Sequence, residues 1–303
     1  MIHIRLACYH RTHGENLVKW LAAAFRGQPA YSQCPSEHCP SCGPARRGRL
    51  VQNLLPDCTG RPQPSNKIKG VHQNTYIGGA SIIHPSVVMT AAHVVTGSNL
   101  FIRAGEWDTQ SNDELYPYQD RDIREIVIHD EFNKRNLFND IALLFLKMPL
   151  ELAPNVGLVC LPLQNSPVAE GLRCISSGWG KDKYGKNSPY RVVMKKVSDV
   201  PTINNEKCQS AFRMTRLGRF FELHSSFMCA GGEQDEDTCQ GDGGSPLVCP
   251  IGNDRYVQRG IVAWGINCGL KDTPGAYTNV TSFRQWVDKK VIDRGYDPAV
   301  YTY

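Results

Sequence analysis

From Tyr76 onward the chain breaks into short runs of β-branched and aromatic residues, separated by Gly, Pro and Asn. Segments 79–83, 87–90, 100–104, 122–129, 141–146, 173–177, 191–197, 247–249 and 256–264 read as strands. So many short strands at close spacing predict an all-β barrel or sandwich. Two short helices are expected. One surrounds Asn204 to Phe212. The other closes the chain, with Phe283, Trp286, Val287 and Val291 at i, i+3, i+4 and i+8, and with Asp288, Lys289 and Arg294 outside that stripe. The 303 residues suit one large or two small domains and bury a core easily.

Residues 1–57 differ from the rest. Glu15 to Phe25 could form a short amphipathic helix, and the Pro/Cys/Arg-rich stretch Gln28 to Arg49 reads as a linker. Leu54 to Gly70 is loop-like. The basic charge sits at this end: residues 1–70 hold ten Lys/Arg against three Asp/Glu, and the remainder holds 24 against 26. No basic face with interleaved aromatics accompanies it, which argues for a solvated leader rather than nucleic-acid binding. No run of 18 uncharged apolar residues occurs, so no membrane-spanning helix is expected. Met1 to Gly27 makes a poor signal peptide, because His3, Arg5, His10, Arg11 and His13 interrupt its start.

Twelve cysteines are many for a reduced compartment and point to secretion. Cys58, Cys160, Cys174, Cys208, Cys229, Cys239, Cys249 and Cys268 are widely spaced, unlike the close pairs of zinc sites. Cys34, Cys39 and Cys42, with His38 among them, superficially resemble a metal knuckle. The second pair such a site needs is missing, so these residues and Cys8 read as disulfide-bonded or unpaired thiols. No metal or other cofactor is expected.

Three landmarks carry chemistry: Thr90-Ala91-Ala92-His93, Asn139-Asp140-Ile141-Ala142-Leu143-Leu144, and Cys239-Gln240-Gly241-Asp242-Gly243-Gly244-Ser245-Pro246-Leu247. Each alone is weak. In this order, with Gly178-Trp179-Gly180 and Ala263-Trp264-Gly265 between and after, they are specific. Residues from about 76 to 294 resemble the chymotrypsin-like serine proteases, a family of two six-stranded antiparallel β-barrels with a short C-terminal helix. The resemblance implies that His93 is the general base and Asp140 its orienting carboxylate. The nucleophile should stand within Gly-Asp-Ser-Gly-Gly-Pro, and here Gly243 takes its place. Glycine has no oxygen to attack with. Ser245, two residues on, lies up to about 7 Å away along an extended chain, too far for a near-attack geometry.

The resemblance further implies a trypsin-like specificity pocket with Asp237 at its base and Gly265 and Gly275 on its walls, suited to a guanidinium. The alternative for Asp237 is a solvated carboxylate in the acidic run Glu233 to Asp237. Four disulfides are implied: Cys58–Cys160, Cys174–Cys249, Cys208–Cys229 and Cys239–Cys268. A further family bridge is replaced by Ile77 and Val94. The segments Ile102 to Asp108, Gln119 to Asp122 and Cys239 to Pro246 resemble the insect clip-domain serine protease homologues of the phenoloxidase-activating factor 2 type. Such proteins are non-catalytic and act in immune protease cascades.

Two departures stand out. Only four cysteines precede Cys58, whereas a clip domain holds six, so no complete clip domain is expected in 1–57. No Ile-Val-Gly-Gly activation sequence occurs upstream, so Asp242, which would receive the cleaved amino terminus, is expected to lack its usual partner. Only 18 residues separate Cys58 from Ile77, and the N-terminal barrel is therefore expected to lack a strand, patched by Lys67 to Thr75 or by a partner. The expected organisation is a leader, 1–57, and a protease-like domain, 58–303.

The resulting functional expectation is a secreted, non-catalytic homologue. It would bind a protease, prophenoloxidase or another cascade component, and neither nucleic acid nor membrane. The alternative is an active trypsin-like endopeptidase, which Gly243 opposes. Asn279-Val280-Thr281 is an N-glycosylation sequon.

Overall fold

The computed structural model describes residues 66–70, 75–96, 100–111, 115–182, 185, 187–234, 237–252 and 255–303. The expected leader 1–57, its helix at Glu15 to Phe25, the cysteines at 8, 34, 39 and 42, and Cys58 lie outside the described residues.

Six strands form the first barrel: β1 (Asn66–Gly70), β2 (Thr75–His84), β3 (Val87–Thr90), β4 (Leu100–Ala104), β5 (Gln119–Ile128) and β6 (Ala142–Leu146). They close in the order β1-β2-β3-β6-β5-β4. The expectation of a missing strand is corrected here, and it is the expected patch, within Lys67 to Thr75, that supplies most of the strand. β1 pairs with β2 from Asn66↔Ala80 to Gly70↔Thr75, and with β4 from Lys67↔Arg103 to Gly70↔Leu100. Five residues are enough to satisfy the backbone edges of both neighbours, which is what closure requires. Asn66-Lys67-Ile68-Lys69-Gly70 offers a single large apolar residue, which is why the segment reads as loop in the sequence.

The second barrel comprises β7 (Arg173–Gly178), β8 (Lys195–Ile203), β9 (Phe227–Gly231), β10 (Pro246–Gly252), β11 (Arg255–Gly265) and β12 (Pro274–Asn279), closed in the order β10-β11-β12-β9-β8-β7. The strand expected at 191–197 lies later, at β8. β9 and β12 are absent from the sequence reading: β12 opens with Pro-Gly, a turn signature, and β9 is a five-residue buried run without alternation.

Helix α1 (Asn205–Arg213) is capped by Asn204, whose Oδ1 accepts from the Glu206 N–H at 2.8 Å. Cys208 and Phe212 form its buried face. Helix α2 (Arg284–Ile292) sets Val287 and Val291 into the main core beside Phe283 and Trp286, as the spacing predicts. That core also takes Ala80, Ile82, Val88, Leu143 and Phe145 from the first barrel and Val257 and Ile261 from the second, while the second barrel packs a separate interior around Val197, Val200, Leu247, Val262 and Tyr277.

Disulfides Cys174–Cys249, Cys208–Cys229 and Cys239–Cys268 tie β7 to β10, α1 to β9, and the loop after β9 to that after β11. Cys160 is also disulfide-bonded, while its expected partner Cys58 lies outside the described residues. No helix among the described residues is long and apolar enough to cross a membrane.

Candidate active-site cleft

His93 lies in a 3₁₀ turn, Ala92–Val95, directly after β3, and Asp140 stands just before β6. β3 and β6 are hydrogen-bonded neighbours, paired Thr90↔Ala142, so the two strand ends deliver the side chains to one place. Asp140 is fully buried. Its Oδ1 accepts the His93 backbone N–H at 2.8 Å, and its Oδ2 lies 2.6 Å from His93 Nδ1. This arrangement fixes the ring and leaves Nε2 toward the cleft.

The nucleophile loop comes from the second barrel. The Gly243 carbonyl accepts from Gly79 N–H at 2.8 Å, and Gly244 N–H donates to Val262 at 2.9 Å. Gly244 has φ +83°, and a side chain there would collide with the Gly79 carbonyl and Thr90 Oγ1, so this position needs glycine. Gly243 has no such backbone requirement. A Cβ built on it would lie 2.7 Å from His93 Nε2. The loop thus brings position 243, His93 and Asp140 together and supplies no oxygen. Ser245 points elsewhere. It is fully buried, and its Oγ faces Gly79 and Gly178 with no hydrogen-bond partner among the described residues.

Asp237 and Gly275 come together, and Gly265 lies opposite Gly275 in the sheet. Gly265 and Gly275 are register partners of β11 and β12, and a Cβ on Gly275 would lie 3.5 Å from Asp237 Oδ1. Asp237 Oδ2 accepts from Gly269 N–H at 3.1 Å, while Oδ1 has no partner among the described residues. The carboxylate is therefore tucked into a niche rather than solvated, and burial lifts its pKa to about 6. Asp237 Oδ1 is thus buried beside Gly231 and Gly275 without a partner among the described residues.

Asp242 is not left unpaired by the absence of an activation sequence. Its carboxylate accepts from Gly180 N–H at 2.8 Å and from Cys239 N–H at 2.9 Å. It forms no ion pair among the described residues. Burial raises its pKa to about 6 against the pull of those two donors. The sequence reading overlooks Tyr76. Its hydroxyl donates to the Gly241 carbonyl at 2.7 Å and its ring meets Trp179 edge-on, so it braces the nucleophile loop from β2. Burial pushes that phenol well above its usual range. An aromatic before Ile-Gly-Gly is the one signal that could have marked it.

Residues 59–287 match the family model described as Trypsin. Over 238 residues the chain is 60% identical to "Phenoloxidase-activating factor 2" of Galleria mellonella, covering 78% of each chain. It is 44% identical over 221 residues to "Inactive CLIP domain-containing serine protease A8" of Anopheles gambiae, covering 72% of this chain and 60% of that one. Against "Inactive CLIP domain-containing serine protease A28" of the same species, identity is 36% over 264 residues, covering 84% of this chain and 69% of the relative.

Proposed function

This chain belongs to the trypsin family, and from that premise we propose that it is a secreted, non-catalytic member that binds its targets without cutting them. The observation that carries the reading is Gly243. The space against His93 Nε2 where an attacking oxygen would stand holds no side chain. Without the nucleophile, the His93–Asp140 pair has no proton to take.

The rest of the cleft favours retention of a basic segment. Asp237 offers an unsatisfied carboxylate oxygen to Arg or Lys, and His93 Nε2 faces the same loop. A partner's basic loop would dock as a substrate does and stay intact. The bridges among the described residues fit an oxidising, extracellular setting. The relatives' names supply the context: a phenoloxidase-activating factor and proteases named inactive. The partner class is accordingly a protease, prophenoloxidase or another component of such a cascade. Purified chain added to prophenoloxidase and its activating protease should raise phenoloxidase activity while hydrolysing no Arg- or Lys-directed substrate. Hydrolysis by the chain itself, or no change in the reconstituted reaction, would reject the proposal.

A further inference from the structure

The sequence contains one Asn-x-Ser/Thr sequon, Asn279-Val280-Thr281. It falls at the last residue of β12 and the 3₁₀ turn that follows. Thr278, one residue earlier, is fully buried and its Oγ1 donates to the Asp140 carbonyl at 2.9 Å. Side chains alternate across a strand, so Asn279 faces away from the His93–Asp140 pair. Its backbone N–H is anchored to the Ser226 carbonyl at 2.8 Å. Thr281 Oγ1 donates to Asn279 Oδ1 at 2.8 Å, which engages the oxygen of the carboxamide. Among the described residues Asn279 Nδ2 donates to nothing.

A groove of about 370 Å³ opens at this side chain. Asn165, Ser166, Thr202, Asn204 and Asn205 line it together with Asn279. Its one charged lining residue, Glu170, is already held by Lys207 at 2.6 Å. Val168, Ala169, Ile203 and Met228 complete the walls, and neutral amides and hydroxyls mixed with apolar surface match a sugar, with its hydroxyls and apolar ring faces, better than a charged or purely apolar ligand.

We propose that Asn279 carries an N-linked glycan whose first sugars lie in this groove. The inference rests on the secretory reading above, since the donor is a polyprenyl-pyrophosphate-linked oligosaccharide of the secretory lumen. In the transfer, Asn279 Nδ2 forms a bond to C1 of the first N-acetylglucosamine and the C1–O bond to pyrophosphate breaks. Polyprenyl pyrophosphate leaves with the electron pair, and one carboxamide proton passes to solvent. Asn279 lies four residues along β12 from Gly275, about 13 Å, so the glycan leaves cation binding at Asp237 untouched.

The test uses the full chain expressed in insect cells behind a heterologous signal peptide, which makes export independent of residues 1–27. Mass mapping of the peptide containing residue 279 should find N-acetylglucosamine on Asn279. Asn279→Gln should abolish the modification, Thr281→Ser should keep it, and benzamidine affinity should be the same in all three. Peptide-N-glycosidase should release the glycan after denaturation and far more slowly from the native protein. Secreted protein with Asn279 unmodified overturns the site, and equally fast release from native and denatured protein overturns its seat in the groove. Failure of the protein to raise phenoloxidase activity would count against the proposed function and leave this result standing.

Discussion

The two barrels furnish the two halves of one cleft, and on the proposed reading only one half lacks its chemistry. The first barrel keeps a buried Asp140 fastened to His93 by two hydrogen bonds. The second barrel keeps the backbone of the nucleophile loop, with Gly243 bonded to Gly79 and Gly244 to Val262, and keeps Asp237 in its niche. It lacks one side chain. The loop's shape is set by backbone hydrogen bonds and by a glycine that must be glycine, Gly244. Position 243 carries no such backbone requirement, yet a Cβ there would lie 2.7 Å from His93 Nε2, so a side chain enters only if the ring shifts. On the proposed reading the scaffold stands without a nucleophile, because backbone bonds and not the side chain at 243 hold the loop.

The largest expected effect follows from that asymmetry. Removing the serine of a catalytic triad costs about 10⁶ in turnover. The wild-type chain should therefore hydrolyse no Arg- or Lys-directed substrate, and a serine-directed phosphonate should leave it unlabelled. His93→Ala should change nothing, because the intact half has nothing to act on. Gly243→Ser should recover little, since a Cβ at 243 lies 2.7 Å from His93 Nε2 and the ring must shift to admit it. Phosphonate labelling at Ser245 would break the comparison outright.

A second difference concerns the cross-links. The three complete bridges described lie in or beside the second barrel, while the first has Ile77 and Val94 where the family places a cystine. The double change Cys208→Ala/Cys229→Ala should lower unfolding stability by about 2–4 kcal/mol, read from urea midpoints. Hydrogen exchange should rise at α1 and β9 and stay unchanged in β3 and β6. Uniform loosening of both barrels would show that the bridge stabilises the whole unit and not its own half.

The pocket gives a smaller effect. Benzamidine should bind weakly, Asp237→Asn should abolish that binding, and wild-type affinity should fall as the pH drops through about 6, where Asp237 takes up a proton. Equal affinity of wild type and Asp237→Asn, measured by calorimetry, would mean that the niche does not accept the cation.

Much of this molecule is legible in its sequence, and the gaps have physical causes. His93, Asp140 and Gly243 stand in short motifs next to strands with clear apolar runs, so both their identity and their neighbourhood can be read. β1 cannot, because the closure of a barrel is decided by backbone pairing with β2 and β4 and leaves only a faint trace in side-chain pattern. β12 cannot either, since Pro274-Gly275 mimics a turn while the register with β11 pairs Gly275 with Gly265 inside the sheet. For Asp242 the sequence marks only the missing amino-terminal partner; the N–H groups of Gly180 and Cys239 that it accepts from are backbone donors, which every sequence supplies.

The smallest effect distinguishes the buried carboxylates of the second barrel from the exposed ones elsewhere. Asp242 has an ordinary pKa of 3.8 when unfolded and one of about 6 in the fold. Between these values the folded state holds more protons than the unfolded state, so stability falls as pH rises. The loss begins near 3.8 and is complete above about 6. Asp237, also raised to about 6, adds to it in the same direction. The exposed carboxylates Glu125, Asp130 and Glu233 are lowered by Arg294, Lys290 and Arg173, and they contribute the opposite slope, below their ordinary values. His84 and His129, lowered from 6.5 by burial, add a rise of stability with pH just below 6.5, so each carboxylate is isolated by comparing wild type with its own Asn variant, in which the histidine contributions cancel. Asp242→Asn removes one titration and should flatten the decline in urea midpoint between pH 5 and pH 7, with Asp237→Asn doing the same independently. If the slope of Asp242→Asn equals that of the wild type, the carboxylate is ionised throughout this range and its two backbone donors outweigh its burial.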